Sequence, residues 1–221
     1  MITLKGVEKY FYRGEPREVH ALKNINLHIE AGEFSVISGP SGCGKTTLLN
    51  MIGVLDSVSA GDIWLRGREI AHLTPAQKTE IRLREMGFVF QAYNLIPVLT
   101  VAENIGFIMQ LQGQPQRDID MRVAELAALL NIEDKLDVLP ALLSGGQQQR
   151  VAVARAVAPK PNIVLADEPT ANLDSENSMI LMDMMRTLNA HENITILFAS
   201  HDDYVIKNAR RIIGLHDGTL A

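Results

Sequence analysis

Residues Gly39–Thr46 read GPSGCGKT, and no other segment constrains the chain as strongly. A glycine-rich loop ending in Lys-Thr works only between a strand and a helix. Its glycines let successive main-chain N–H groups curl around phosphate oxygens, and the helix start adds the positive end of its dipole. The flanks agree with that setting: Phe34–Ser38 is a short apolar run of strand type, and from Lys45 the sequence TTLLNMIGVL has helical character. Lys45 is then the group that reaches terminal phosphates, and Thr46 the hydroxyl that holds a magnesium ion. The pattern predicts a nucleoside-triphosphate site on an α/β sheet.

The rest of the chain fits around such a sheet. Ile25, Leu27 and Ile29 alternate with polar residues, Gly32 marks a turn, and Gly61–Leu65 and Met86–Phe90 read as strands. Between about Thr100 and Asn131 the apolar spacing turns helical, with Val123, Leu126, Ala127 and Leu130 on one face and turn residues Gly113–Pro115 dividing two helices. Strand and helix then alternate over Ile163–Ala166, Asn177–Leu188 and Ile194–Ala199, and RRIIGLHDGTL reads as a closing hairpin. Strands alternating with helices imply a mostly parallel sheet covered on both faces. The expected organisation is one domain over 1–221, a core of about 1–91 and 151–221 with a helical subdomain at about 92–150.

Asn162–Glu168 reads NIVLADE, an apolar strand that delivers two carboxylates at its carboxyl end, the edge where open α/β sheets bind ligands. Asp167 is placed to partner the magnesium ion, through water, and Glu168 to polarise an attacking water. Composition removes other classes. A formal net charge of −5 gives no electrostatic reason to bind nucleic acid. No apolar stretch is long enough for a membrane span and the start lacks a leader's apolar centre, so a soluble, cytoplasmic chain is expected. A single cysteine, Cys43, excludes an intrachain disulfide, and the six histidines show no metal-ligand spacing. Cys43 is expected to be somewhat more reactive than a buried thiol, because loop N–H groups, the helix start and Lys45 favour its thiolate, and to be masked by bound nucleotide.

LSGGQ at Leu143–Gln147 runs on into QQRVAVARAV. Together with GPSGCGKT and NIVLADEPTANLD in the same order, it makes the chain resemble the ATP-binding-cassette family. Within it, the chain is most similar to ATPases of lipoprotein-release and macrolide-efflux systems and their cell-division relatives. The resemblance implies a P-loop NTPase core with a mostly parallel sheet, an N-terminal antiparallel β-subdomain, an inserted α-helical subdomain, and ATP and magnesium as ligands.

It also implies roles for particular residues. Phe11 falls where an aromatic ring stacks on adenine, with Tyr10 and Tyr12 as neighbouring alternatives. Gly39, Pro40, Ser41, Gly42, Cys43, Gly44, Lys45, Thr46 and Thr47 surround the phosphates. Gln91 joins Thr46 and Asp167 near the metal, and His201 contacts the γ-phosphate. Asp174 matches a loop at a dimer interface, although a helix N-cap explains it equally well. Ser144 and Gly145 precede a helix, so Leu143, Ser144, Gly145, Gly146 and Gln147 form a second phosphate site. That site closes over ATP held by another copy in a head-to-tail homodimer.

The implied setting is peripheral, on the cytoplasmic face of the inner or plasma membrane. There an integral membrane transporter subunit would receive the work, with Ala92–Leu99 as the floor of a groove for one of its helices. Export or lipoprotein extraction is the favoured type; solute import and cell-division mechanotransmission are the alternatives.

Overall fold

The alternation of apolar residues along the central strands decides the architecture. Val36, Val164, Ala166, Ile196 and Phe198 pack on one side of a sheet, while Ile37, Ile163, Leu165, Leu197 and Ala199 pack on the other. A sheet buried on both faces needs continuous apolar runs, which is why these strands read as they do. The computed structural model describes residues 1–221, apart from the side chain of Asp203.

The strands are β1 (Ile2–Phe11), β2 (Val19–Ile29), β3 (Phe34–Ser38), β4 (Ala60–Leu65), β5 (Arg68–Glu69), β6 (Met86–Val89), β7 (Ile163–Asp167), β8 (Thr195–Ser200), β9 (Arg211–His216) and β10 (Thr219–Leu220). They form a four-stranded antiparallel sheet, β2-β1-β4-β5, and a six-stranded sheet, β10-β9-β3-β8-β7-β6. In the larger sheet β9, β3, β8, β7 and β6 run parallel and only β10 is antiparallel, so the expected closing hairpin forms with β9 laid beside β3.

The helices are α1 (Lys45–Ile52), α2 (Pro75–Glu85), α3 (Val101–Leu111), α4 (Gln116–Leu129), α5 (Gly145–Val157), α6 (Ser175–Glu192) and α7 (Asp203–Asn208). α1 is shorter than TTLLNMIGVL suggested. It stops at Gly53, where an added Cβ would lie 2.8 Å from Phe88 and 2.9 Å from Leu165, and Val54 has φ 48°. None of the helices is long and apolar enough to cross a membrane among the described residues.

α3, α4 and α5 pack together on one face of the large sheet, and α5 runs without a break through position 150. It lies directly on β6: a Cβ added to Gly87 would be 2.3 Å from the Ala156 carbonyl oxygen. Arg122 of α4, only 5% exposed, fastens this layer to the rest. Its guanidinium donates to the carbonyls of Val157 and Ala158 and to both carboxylate oxygens of Glu192 at 2.7 Å, joining α4, the end of α5 and the end of α6.

Candidate functional site

The carboxyl ends of β3, β6, β7 and β8 deliver the phosphate loop, Gln91, the Asp167-Glu168 pair and His201 to one edge of the sheet. The loop, Gln91, Glu168 and His201 line a cleft of about 710 Å³, with Phe11 and His20 also in its wall. Glycine is required in the loop for reasons visible in the packing. A Cβ at Gly39 would sit 2.0 Å from the Leu215 carbonyl oxygen, and Gly44, at φ 109°, would meet the Ala21 carbonyl oxygen at 2.9 Å.

Lys45 is 7% exposed and folds back over the loop. Its ammonium donates to the carbonyls of Gly39 at 2.8 Å and Pro40 at 3.1 Å, and lies 3.8 Å from Glu168. The Thr46 hydroxyl donates to Asp167 at 3.0 Å. Burial pushes the Asp167 carboxyl above the ordinary carboxylate range, the Glu168 charge adds to the rise, and the Thr46 bond opposes it. A hydroxyl beside a carboxylate that burial penalises is a hard-oxygen pair whose charge a divalent cation offsets. A donor set this sparse fits magnesium, which takes one or two protein groups plus phosphate oxygens.

Glu168 has two nitrogen partners at one carboxylate oxygen. His201 Nδ1 is 2.8 Å from Oε1, and the Lys45 ammonium is 3.8 Å from the same oxygen. Its backbone has φ 46°, held by a main-chain hydrogen bond to the Ala199 carbonyl at 2.9 Å. For a residue other than glycine that conformation costs about 1 kcal/mol or more and persists where surrounding structure imposes it.

Of the three aromatic residues at the end of β1, Phe11 lines the cleft. Tyr10 is stacked on His20 with ring centroids 3.9 Å apart, and Tyr12 is half exposed with the Arg17 guanidinium 3.9 Å from its ring. The main chain of Cys43 belongs to the loop, but its thiol does not face the opening, contrary to the expected reactivity. The residue is 3% exposed, with Sγ beneath Gly39 in the apolar core that holds Leu48 and Leu215. Iodoacetamide should therefore label native Cys43 slowly, at rates within about two-fold with and without MgATP. Strong protection by nucleotide would put the thiol back in the cleft.

The segment Leu143–Gln147 does not line this cleft. Ser144 caps α5: its hydroxyl accepts from the Gln147 N–H, and the Gln147 side chain accepts from the Ser144 N–H. Gly145 is thus the first helical residue. Asp174 caps α6 and also binds the Asn177 side chain, which packs against Gly146. Both explanations offered for Asp174 remain compatible with this placement.

Two residues that sequence reasoning passed over hold the Gln91 loop. Asn172 Nδ2 donates to the Gln91 carbonyl at 2.9 Å, and Arg155 of α5 donates to the carbonyls of Tyr93 and Asn94 at 3.0 and 2.6 Å. Asn172 lies inside NIVLADEPTANLD, whereas nothing local marked Arg155.

The fold and the cleft define a phosphate-loop ATPase. The ABC transporter family model matches residues 22–171. Among curated relatives, the macrolide export ATP-binding/permease protein MacB of Aggregatibacter actinomycetemcomitans is 43% identical over all of this chain, which spans only 34% of that protein. The lipoprotein-releasing system ATP-binding protein LolD 1 of Caulobacter vibrioides is 39% identical, with 100% and 94% of the two chains covered. The methionine import ATP-binding protein MetN of Symbiobacterium thermophilum is 41% identical over 94% of this chain and 62% of its own length. Among solved structures, the dimeric ABC transporter cassette MJ0796 superposes with a TM-score of 0.91 at 41% identity, covering 100% of this chain and 96% of that one. A post-hydrolysis dimer of the same cassette, bound to ADP and Pi, scores 0.91 at 40% identity over the same shares. This chain belongs to the ABC transporter family.

Proposed function

We propose that the chain is the ATP-binding and ATP-hydrolysing subunit of a transporter of the export or lipoprotein-extraction type, acting as a head-to-tail homodimer against a membrane partner. One observation carries the catalytic reading: Lys45, Thr46, Glu168 and His201, from three separate segments, line one cleft, and Asp167 is bound to Thr46 at its edge. Phe11 offers a ring face to the base. The loop N–H groups and Lys45 hold the phosphates, with the ammonium exchanging its two loop carbonyls for phosphate oxygens. Glu168 accepts a proton from the attacking water while His201 fixes its carboxylate and faces the terminal phosphate. A magnesium ion held by Thr46, Asp167 and Gln91 would supply positive charge to the phosphate oxygens. Ser144 and the first N–H groups of α5 supply the second phosphate site to the other copy. The same reading makes residues 92–150 a helical arm carried by the core.

The export assignment follows the likeness to MacB and to LolD 1, the latter close to this chain in length. The likeness to MetN supports import as the second reading. Reconstitution with the membrane protein that co-extracts in mild detergent, followed by the direction of ATP-driven substrate movement, decides between them.

The partner's docking place is an apolar groove of about 410 Å³ between α2, β6 and α3, with Leu83, Phe88, Ile96 and Phe107 in its wall. Ile96 of the segment 92–99 faces this groove, whereas Leu95, expected in its floor, packs against the helical core. Ile96→Asn should lower partner-stimulated hydrolysis about ten-fold and leave basal hydrolysis within about two-fold. Leu95→Asn should lower both together with the thermal midpoint. Equal losses in the Ile96 variant would move the docking surface elsewhere.

A further inference from the structure

Gln149 lies in α5, two residues beyond the signature segment, and is wholly buried at 0% exposure. Neither its Nε2 nor its Oε1 has a hydrogen-bond partner. A primary amide withdrawn from water with both ends unpaired costs free energy, and engagement in another state is one way a native chain offsets that cost. Among the described residues His20 Nε2 shares this condition, but it has the Glu8 carboxylate 3.8 Å away.

The position of Gln149 on α5 defines what it faces. Residues four and seven apart share a helix face, so Gln149 lies on a stripe with Gly145 before it and Ala156 after it. At one end of that stripe, a Cβ added to Gly145 would meet the Tyr93 hydroxyl at 3.0 Å and the Asn172 carbonyl oxygen at 4.0 Å; at the other, the helix backbone lies against β6, the Ala156 carbonyl oxygen 2.3 Å from a Cβ added to Gly87. By that register Gln149 belongs to the face of α5 that Gly145 turns toward Tyr93 of the Gln91 loop.

That loop is only partly fixed. Its Tyr93 and Asn94 carbonyls are taken by Arg155, two turns further along the same helix, and both residues are left-handed, at φ 61° and 50°. α5 thus holds the loop with one polar group and keeps a second, unengaged, on the face that Gly145 turns toward it.

We infer that Gln149 is a positioning residue for Gln91: when nucleotide fills the cleft, the loop settles onto α5 and main-chain groups at positions 91 and 92 pair with the Gln149 amide. The Gln91 side chain is then fixed toward the phosphates, and movement of the signature helix reaches the cleft through this pairing. The role rests on the ATP-site reading given above.

Hydrogen exchange of the full chain, carrying Glu168→Gln to retain nucleotide, tests both levels separately. In the protein with Gln149, MgATP should slow exchange at 42–47 and slow it at 91–94 by about ten-fold or more. With Gln149→Met, of similar shape but unable to pair, slowing at 91–94 should fall below about three-fold while slowing at 42–47 persists. Without nucleotide the Met variant should melt no lower than its parent, since it removes two unpaired groups rather than a bond. On the Glu168 background kcat should fall about ten-fold with KM within two-fold.

Equal slowing at 91–94 in both proteins overturns the assignment, as does a lowered nucleotide-free melting point with exchange raised along all of α5, which marks plain packing. Nucleotide that leaves 91–94 unchanged in the protein with Gln149 overturns it without any variant. No slowing at 42–47 would overturn the ATP-site reading, and the Gln149 role with it.

Discussion

Glu168→Gln is expected to stop turnover while ATP stays bound. The carboxylate stands 2.8 Å from His201 and 3.8 Å from Lys45, on a main chain fixed by its bond to Ala199. An amide keeps that shape and a hydrogen bond to the imidazole, but it cannot take a proton from water. A lost general base costs about 10²–10⁴-fold in rate, and the upper part of that range is expected here because the adjacent carboxylate, Asp167, is committed to Thr46. Single-turnover hydrolysis with MgATP measures the rate, and size exclusion measures the ATP-bound dimer that should accumulate. Hydrolysis within a few-fold of the parent would remove Glu168 from the base role.

A comparable loss is expected from breaking the composite site, and it can be placed on a chosen chain. A Lys45→Ala chain paired with a Gly145→Asp chain keeps one undamaged site, while the other carries both lesions. An unmutated chain paired with a doubly altered one spoils both sites, each by one lesion. Gly145→Asp should fold: the first helical position favours a negative charge, and the nearest obstacle is the movable Tyr93 hydroxyl. Its damage comes from setting that charge against phosphate.

With Glu168→Gln on every chain, about one nucleotide should be trapped per heterodimer of single variants and far less in the other pairing. The reverse order would mean that signature and phosphate loop meet within one chain. The absence of Leu143–Gln147 from the cleft's own wall argues for the arrangement across chains.

The parts legible in the sequence were those with a local physical signature. The loop, its strand, the acidic pair and the paired helices of the insertion each carry a pattern of spacing or charge that survives without neighbours. α2 escaped because it buries only Ile81 and shows no apolar period, although its capping box of Thr74 and Gln77 was there to be read. The Cys43 expectation failed because neighbouring residues in sequence do not reveal direction: the turn of the loop carries the thiol under Gly39. Leu95 and Ile96 differ by one position, and only the packed structure shows which faces the groove. Arg155 and Asn172 act across 62 and 81 positions of sequence, a distance over which no motif speaks.

Arg122 grips α5 at its carboxyl end, at Val157 and Ala158, whereas Ser144 caps the opposite end. A helix of this length spans about 20 Å. With one end pinned between α4 and α6, it is a lever with a fixed fulcrum: tilting it by about 10° about the arginine sweeps the serine through about 3.5 Å, by the same helical dimensions. Gln149 and Arg155 lie nearer the pivot and travel proportionately less, so one small tilt delivers a large stroke at the signature end and a fine adjustment at the Gln91 loop.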